Sequence, residues 1–162
     1  AGTTLLDVVK GMSNSLVKKA LELRSVEPQL RKPWIVFDRD EVKDFDKIIQ
    51  EAEKNGVNVG WANPCFEIWL HAYFGKMPIV QKSPQSVGCC ENFSKEFRKI
   101  TKQKYSKNDR EIDQKLIKYG DEKRAIEIAK KNYAAHSQNN KPSAMCPACT
   151  VYLLVEEIKS KV

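Results

Sequence analysis

The feature that most constrains the fold is the apolar run Trp34-Ile35-Val36-Phe37, which follows Pro33 and stops at Asp38-Arg39-Asp40-Glu41. Apolar residues in unbroken succession suit a strand covered on both faces, and such a strand requires helices on both sides of a sheet. Residues 41–55 then have helical spacing, with Val42, Phe45, Ile48, Ile49 and Ala52 on one stripe and Asn55-Gly56 as a C-terminal stop. Val57 to Ala62 reads as a second short strand. Strand, helix and strand in this order predict a right-handed βαβ unit with parallel strands.

Around that unit the pattern is helical. Leu5, Val8, Val9, Leu16, Val17, Ala20 and Leu21 place a helix over 4–24, recapped near Gly11 with Ser13 or Ser15 as N-cap. Asn63-Pro64 is expected to open a helix running through Phe74, since Asn is a favoured N-cap and Pro suits the first helical position. Residues 75–90 read as loop, 91–104, 109–118 and 121–136 as helices, 137–143 as a polar loop, and a last helix starts near Thr150. The expected fold is α/β, with a small parallel sheet and a helical C-terminal half. Residues 1–75 would form the core, and 76–162 a basic helical extension packed on it in the same domain. Two strands make a poor sheet. Either a strand lies hidden in a stretch read as helix or loop, or sequence precedes Ala1, and the second is expected.

Composition narrows the class. With 41% hydrophobic and 30% charged residues the chain has the make-up of a globular domain. No apolar run approaches the roughly 18 to 20 residues of a membrane span. Leu5-Leu6 is followed at once by Asp7, unlike a secretory leader. The expected setting is the cytoplasm, away from membranes. The 5 cysteines, an odd set, are read as thiols or metal ligands rather than a disulfide framework. Cys146 and Cys149 have the spacing of half a zinc site. Cys89-Cys90, the other pair, is adjacent and poorly placed to complete a tetrahedral ion, so no stoichiometric zinc is expected.

The net charge of +7 is unevenly spread. Residues 1–75 hold 10 Lys and Arg against 11 Asp and Glu, whereas 76–141 hold 16 against 8. Lys95, Arg98, Lys99 and Lys102 follow i, i+3, i+4, i+7 spacing and form one stripe, opposite Phe93, Phe97 and Ile100. Lys104, Lys107 and Arg110 prolong the run past Tyr105. Such a stripe suits phosphate-backbone contacts, which give affinity without reading sequence. A nucleic acid is therefore the expected partner, against the plainer reading of a solvated lysine face.

The acidic cluster is where chemistry is expected. In open parallel sheets ligands bind beyond the carboxyl ends of the strands, where Asp38 lies. Residues i and i+2 of an extended segment point the same way, so Asp38 and Asp40 can face one Mg2+ or Mn2+, with Glu41 nearby as a third ligand. Glu67 and His71 stand four apart on one helical face and form a second pair able to bind metal or move a proton. The plainer reading makes Glu67 a dipole-stabilising carboxylate and His71 a partly buried ring.

Residues 34–42 resemble the first motif of haloacid-dehalogenase phosphatases, in which Asp38 would be a nucleophile. That family also needs a later acidic pair after an apolar strand, and Gly120-Asp121-Glu122 lacks the strand. A wider resemblance is to the RloB family. There an apolar strand ending in D-R-D-E precedes a helix, a short strand and S/N-N-P-C-F-E-L-W. Here Asn63-Pro64-Cys65-Phe66-Glu67-Ile68-Trp69-Leu70 matches that string, with His71 and Phe74 beyond it. The tail Lys141-Pro142-Ser143 and Thr150-Val151-Tyr152-Leu153-Leu154-Val155 resembles the family's N-P-S-T-x-V-x-x-L-V segment, interrupted here by residues 144–149.

This resemblance implies a Toprim-type domain, a metal-dependent nuclease encoded among restriction and phage-defence genes, with a possible partner protein from the same operon. It implies Asp38, Asp40 and Glu67 as catalytic residues and Asp38, Asp40 and Glu41 as metal ligands. Toprim enzymes also use a glutamate in an E-G segment after an earlier strand, and none precedes Asp38 here. The resemblance therefore implies weak or absent cutting by these 162 residues alone. The rival expectations are a phosphatase or nucleotide hydrolase, and a binding module whose site has degenerated.

Overall fold

A computed structural model describes residues 15–26, 33–40, 42–78, 88–138 and 140–161. Its elements in chain order are α1 (Leu16–Val26), β1 (Trp34–Asp38), α2 (Phe45–Lys54), β2 (Asn58–Asn63), α3 (Glu67–Ala72), α4 (Cys89–Thr101), α5 (Ile112–Tyr119), α6 (Glu122–His136), a 3-10 turn (Pro142–Ala144), β3 (Ala148–Cys149) and α7 (Val151–Ser160). The fold is α/β, as expected. Residues 4–14 of the expected first helix, Ser13 among them, and Glu41 lie outside the described residues.

β1 and β2 pair in parallel from Trp34↔Asn58 to Asp38↔Ala62, which is the βαβ unit read from the sequence. Alternation along β1 and β2 sends Ile35, Phe37, Val59 and Trp61 into one core with Phe45, Ile48, Ile49 and Ala52 of α2. The helix between them begins later than expected, at Phe45 after Asp44. It ends as its sequence indicates, Asn55 followed by Gly56 at φ +74°.

The sheet is mixed rather than purely parallel. β3 joins β2 antiparallel through Ala62↔Cys149 and Asn63↔Ala148, in the order β1-β2-β3. A third strand thus lies within the stretch that interrupts the expected C-terminal segment. Thr150 prolongs the pairing: its N–H donates to the Trp61 carbonyl, and its hydroxyl accepts from the Trp61 N–H and donates to the Val59 carbonyl.

The second core holds Ala62, Ile68, Trp69, Phe93, Phe97, Leu116, Ala125, Ala129 and Tyr152, from β2 and the helices α3 to α7. It closes tightly at Gly120, where a Cβ would lie 2.6 Å from the Tyr73 carbonyl oxygen. Among the described residues no helix is long and apolar enough to cross a membrane.

Cys65 and Cys89 are joined in a disulfide, their Cα atoms 6.4 Å apart, which corrects the reading of both as thiols or metal ligands. The bond ties the segment entering α3 to the first residue of α4. Cys89 is thereby withdrawn from any zinc pairing with Cys146 and Cys149. Those two are buried and in no disulfide, and burial pushes the Cys149 thiol pKa up to about 12.

Candidate functional site

The site forms where β1 and β2 end. Their ladder runs past the strands: Arg39 N–H donates to the Ala62 carbonyl and Asp40 N–H to the Pro64 carbonyl, both at 2.9 Å. Asp38 therefore sits beside the turn that leads into α3, and its Oδ2 accepts from the Phe66 N–H at 3.1 Å. Asp40 leaves the extended conformation, with φ +34°. A non-glycine residue there is uncommon, and such strain collects where neighbouring structure demands it. The simple alternation that would align Asp38 with Asp40 thus stops at Arg39. The two carboxylates still feel each other. Burial raises the Asp38 pKa first, and the charges of Asp40 and Glu67 raise it further, against lowering by the Phe66 N–H and by Lys107.

Glu67 is the first residue of α3. The helix was expected to start at Asn63 but begins at Glu67 and ends at Ala72, because Asn63 belongs to β2 and Pro64 to the turn. Only 2% of Glu67 is exposed. Its Oε1 accepts from the Tyr105 hydroxyl at 3.3 Å and lies 3.5 Å from the Lys107 ammonium. Burial first, and then the neighbouring Glu67 carboxylate, push the Cys90 thiol pKa up. The Glu67 charge likewise raises the pKa of Lys107, and burial with the same charge raises that of Tyr105. The other oxygen, Oε2, is buried with no hydrogen-bond partner. A buried carboxylate oxygen left in this state is costly unless something binds it.

His71 shares the Glu67 face, but neither ring nitrogen meets a partner, and the ring packs edge-on against Phe93 at 5.2 Å. Burial first, then the charge of Lys76, lowers its pKa, against raising by Glu96 and Glu67. It is a ring packed among apolar neighbours, with its neutral form favoured by burial.

Arg39 and Asn63 turn to the α2 side of the same sheet end. Arg39 donates to the Ser143 carbonyl at 2.7 Å. Asn63 Nδ2 reaches the carbonyls of Pro142, Ser143 and Met145 at 3.0, 3.3 and 3.0 Å. Asp46 accepts from the Ser143 N–H at 2.8 Å and from its hydroxyl. The signature residues Arg39, Asn63 and Ser143 thus anchor the 3-10 turn.

Of the expected site residues, Asp38 lies close enough to Asp40 and Glu67 for their charges to raise its pKa, and Glu41 lies outside the described residues. Lys95, Arg98, Lys99 and Lys102 are exposed, with Phe93 and Phe97 fully buried behind them on α4. Lys104 and Arg110 are exposed beyond the helix, whereas Lys107 reaches back to Glu67. Gly120-Asp121-Glu122 is a structural pair: Asp121 caps α6 through the Arg124 N–H, and Glu122 accepts from the Tyr73 hydroxyl and pairs with Lys159. Sequence reasoning gave Tyr105 no role at the site and weighed Cys90 only as a poorly placed zinc ligand. The one signal for Tyr105 was an aromatic set among lysines.

The donor set suits a hard cation. Carboxylate oxygens match Mg2+ or Mn2+, which accept one or two carboxylates and keep several waters. Among the described residues no group of three or more His, Cys, Asp or Glu side chains is placed to hold a metal ion. A cation here would therefore keep most of its water, and the unpartnered Glu67 Oε2 is the oxygen that could meet it.

No curated protein and no solved structure matches the chain. One family model does, described as RloB-like protein and matching residues 7–158, a span that takes in β1 and its acidic end, the turn into α3, and the Ser143 anchor. The chain belongs to the RloB-like family.

Proposed function

We propose that this domain is a Mg2+- or Mn2+-dependent nuclease of Toprim type that acts on nucleic acid in cytoplasmic defence against phage or foreign DNA. The observation that supports it most is the buried, half-partnered carboxylate of Glu67 beside Asp38 and Asp40, next to an exposed basic helix face. Asp38 and Glu67 would hold the ion, with Asp40, and Glu41 where it reaches, as further ligands. Such an ion supplies a more acidic water and neutralises charge developing on a phosphodiester. The Phe66 N–H holds the Asp38 carboxylate through its Oδ2. Lys95, Arg98, Lys99 and Lys102 lead the phosphate backbone along α4, a contact that weakens steeply with salt.

The test is cleavage of single- and double-stranded DNA and of RNA by the full-length protein with Mg2+ or Mn2+. Asp38→Asn and Asp40→Asn should abolish cutting, since the amide keeps the shape but not the charge, and Glu67→Gln should reduce it. Full activity in the Asp38→Asn, Asp40→Asn double variant would overturn the reading. One observation favours a second reading, a binding module without catalysis: Glu67 already carries a cation of the chain's own, Lys107. Binding that survives Asp38→Asn, with no cutting by any form, would select it.

A further inference from the structure

Lys107 differs from the rest of the basic run. Lys95, Arg98 and Lys99 lie on the exposed side of α4 and Lys102 caps its C-terminus with φ +62°, but Lys107 stands on the α4–α5 connection with its ammonium 3.5 Å from the buried Glu67 Oε1. The connection is seated by Tyr105. Its ring meets Phe93 edge-on at 4.7 Å and Phe97 at 5.7 Å, and its hydroxyl donates to the same Oε1. The Lys107 side chain is 65% exposed and the Glu67 side chain 3%, so the pair joins a fixed carboxylate to an ammonium that solvent can receive. Such half-exposed pairs are weak and exchange readily. The Lys107 charge also reaches Asp38.

We propose that Tyr105 and Lys107 form a cation-exchange latch: Lys107 neutralises Glu67 until a divalent ion takes its place, and the released ammonium then binds a phosphate of the nucleic acid. Like charges a few ångströms apart repel, so the ion and the ammonium compete for one carboxylate. Tyr105 holds Glu67 in position in both states. Binding of ion and polyanion thereby become coupled, because displaced Lys107 gains a partner only when a phosphate is present. The latch rests on the reading above, in which Asp38 and Glu67 hold a divalent ion.

The experiment follows free Mn2+ by its paramagnetic resonance signal in titrations of the full chain without nucleic acid. It compares wild type, Lys107→Met, Lys107→Arg, Tyr105→Phe and Asp38→Asn, each checked for folding by thermal melting. Lys107→Met should bind Mn2+ roughly tenfold more tightly, since it removes the competing charge. Lys107→Arg should stay near wild type. With Mn2+ present, a short single-stranded oligonucleotide should bind Lys107→Met several-fold more weakly. Tyr105→Phe should shift Mn2+ affinity less than Lys107→Met does. If Asp38→Asn abolishes Mn2+ binding but Lys107→Met leaves it unchanged or weaker, the latch is wrong and the metal site stands. Absence of Mn2+ binding in every form would overturn both.

Discussion

Two sets of polar side chains occupy opposite faces of the same sheet end, and they are treated differently by the chain. On the α2 face Asp46 meets the Ser143 N–H and hydroxyl, Arg39 meets a carbonyl, and Asn63 Nδ2 reaches three carbonyls. On the other face Glu67 keeps a buried oxygen without partner, His71 has two bare ring nitrogens, and Asp38 has its pKa raised by burial and by its acidic neighbours. The first arrangement is closer to what folding favours: its side-chain donors and the Asp46 carboxylate are answered by the protein itself, and Asn63 Oδ1 is its one buried atom without a partner among the described residues. The second costs stability, and groups kept at such cost tend to mark a site. One signature thus divides into scaffold and site. Arg39, Asn63 and Ser143 build the frame, while Glu67 keeps a buried carboxylate oxygen that the protein does not answer.

The comparison breaks most readily at Asn63. Asn63→Leu would strip the carbonyls of Pro142, Ser143 and Met145 of their shared donor. A loss of about 3 to 5 kcal/mol is expected from buried acceptors left unanswered, read by denaturant unfolding. A loss below about 1 kcal/mol would show that the anchor is not what holds this end of the sheet.

Next in size is the disulfide, which joins the entry to α3 with the start of α4 across 24 residues. The Cys65→Ser, Cys89→Ser double variant should lose about 3 kcal/mol. Because the bond flanks Glu67 rather than Asp46, the loss should be accompanied by weaker divalent-ion binding. Unchanged ion affinity would separate the bond from the site.

His71 gives a smaller, pH-dependent effect. Its folded pKa lies below the unfolded value of 6.5, so its contribution is present above 6.5 and is lost as pH falls through the folded value. Between pH 7 and pH 5 wild type should lose about 1 kcal/mol more than His71→Leu does. Equal losses would mean that the ring is solvated or partnered in solution.

Much of the frame was legible in the sequence because its signals are local. The run at 34–37, the 3.6-residue stripe of α2 and the Asn55-Gly56 stop each act within a few residues. What escaped is non-local or ambiguous. Asn63-Pro64 has the residue types of a helix N-cap and first turn, yet Asn63 closes β2, and its amide is spent on carbonyls about 80 residues away. β3 has 2 residues and no apolar run, so pairing with β2 alone makes it a strand. Cysteine spacing cannot reveal that Cys65 meets Cys89. At the site, the D-x-D and Glu67 were readable as types, but their surroundings were not. Tyr105 and Lys107 reach Glu67 from 38 and 40 residues downstream only because Phe93 and Phe97 seat the connection that carries them.

The central claim is that Asp38 and Glu67 are held at a cost for a divalent cation, and thermal melting of wild type and Asp38→Asn at pH 7, with and without Mn2+, tests it most directly. A raised carboxyl pKa means stability that is present at low pH and lost as the group ionises, so at pH 7 the charged Asp38 destabilises the ion-free fold. Without the ion, Asp38→Asn should melt slightly higher, by about 1 to 2 °C, since solvent screens much of the repulsion. With Mn2+, wild type should rise by several degrees and overtake the variant, which should not respond. A variant that melts lower than wild type without the ion, together with no response of wild type to Mn2+, would contradict the account.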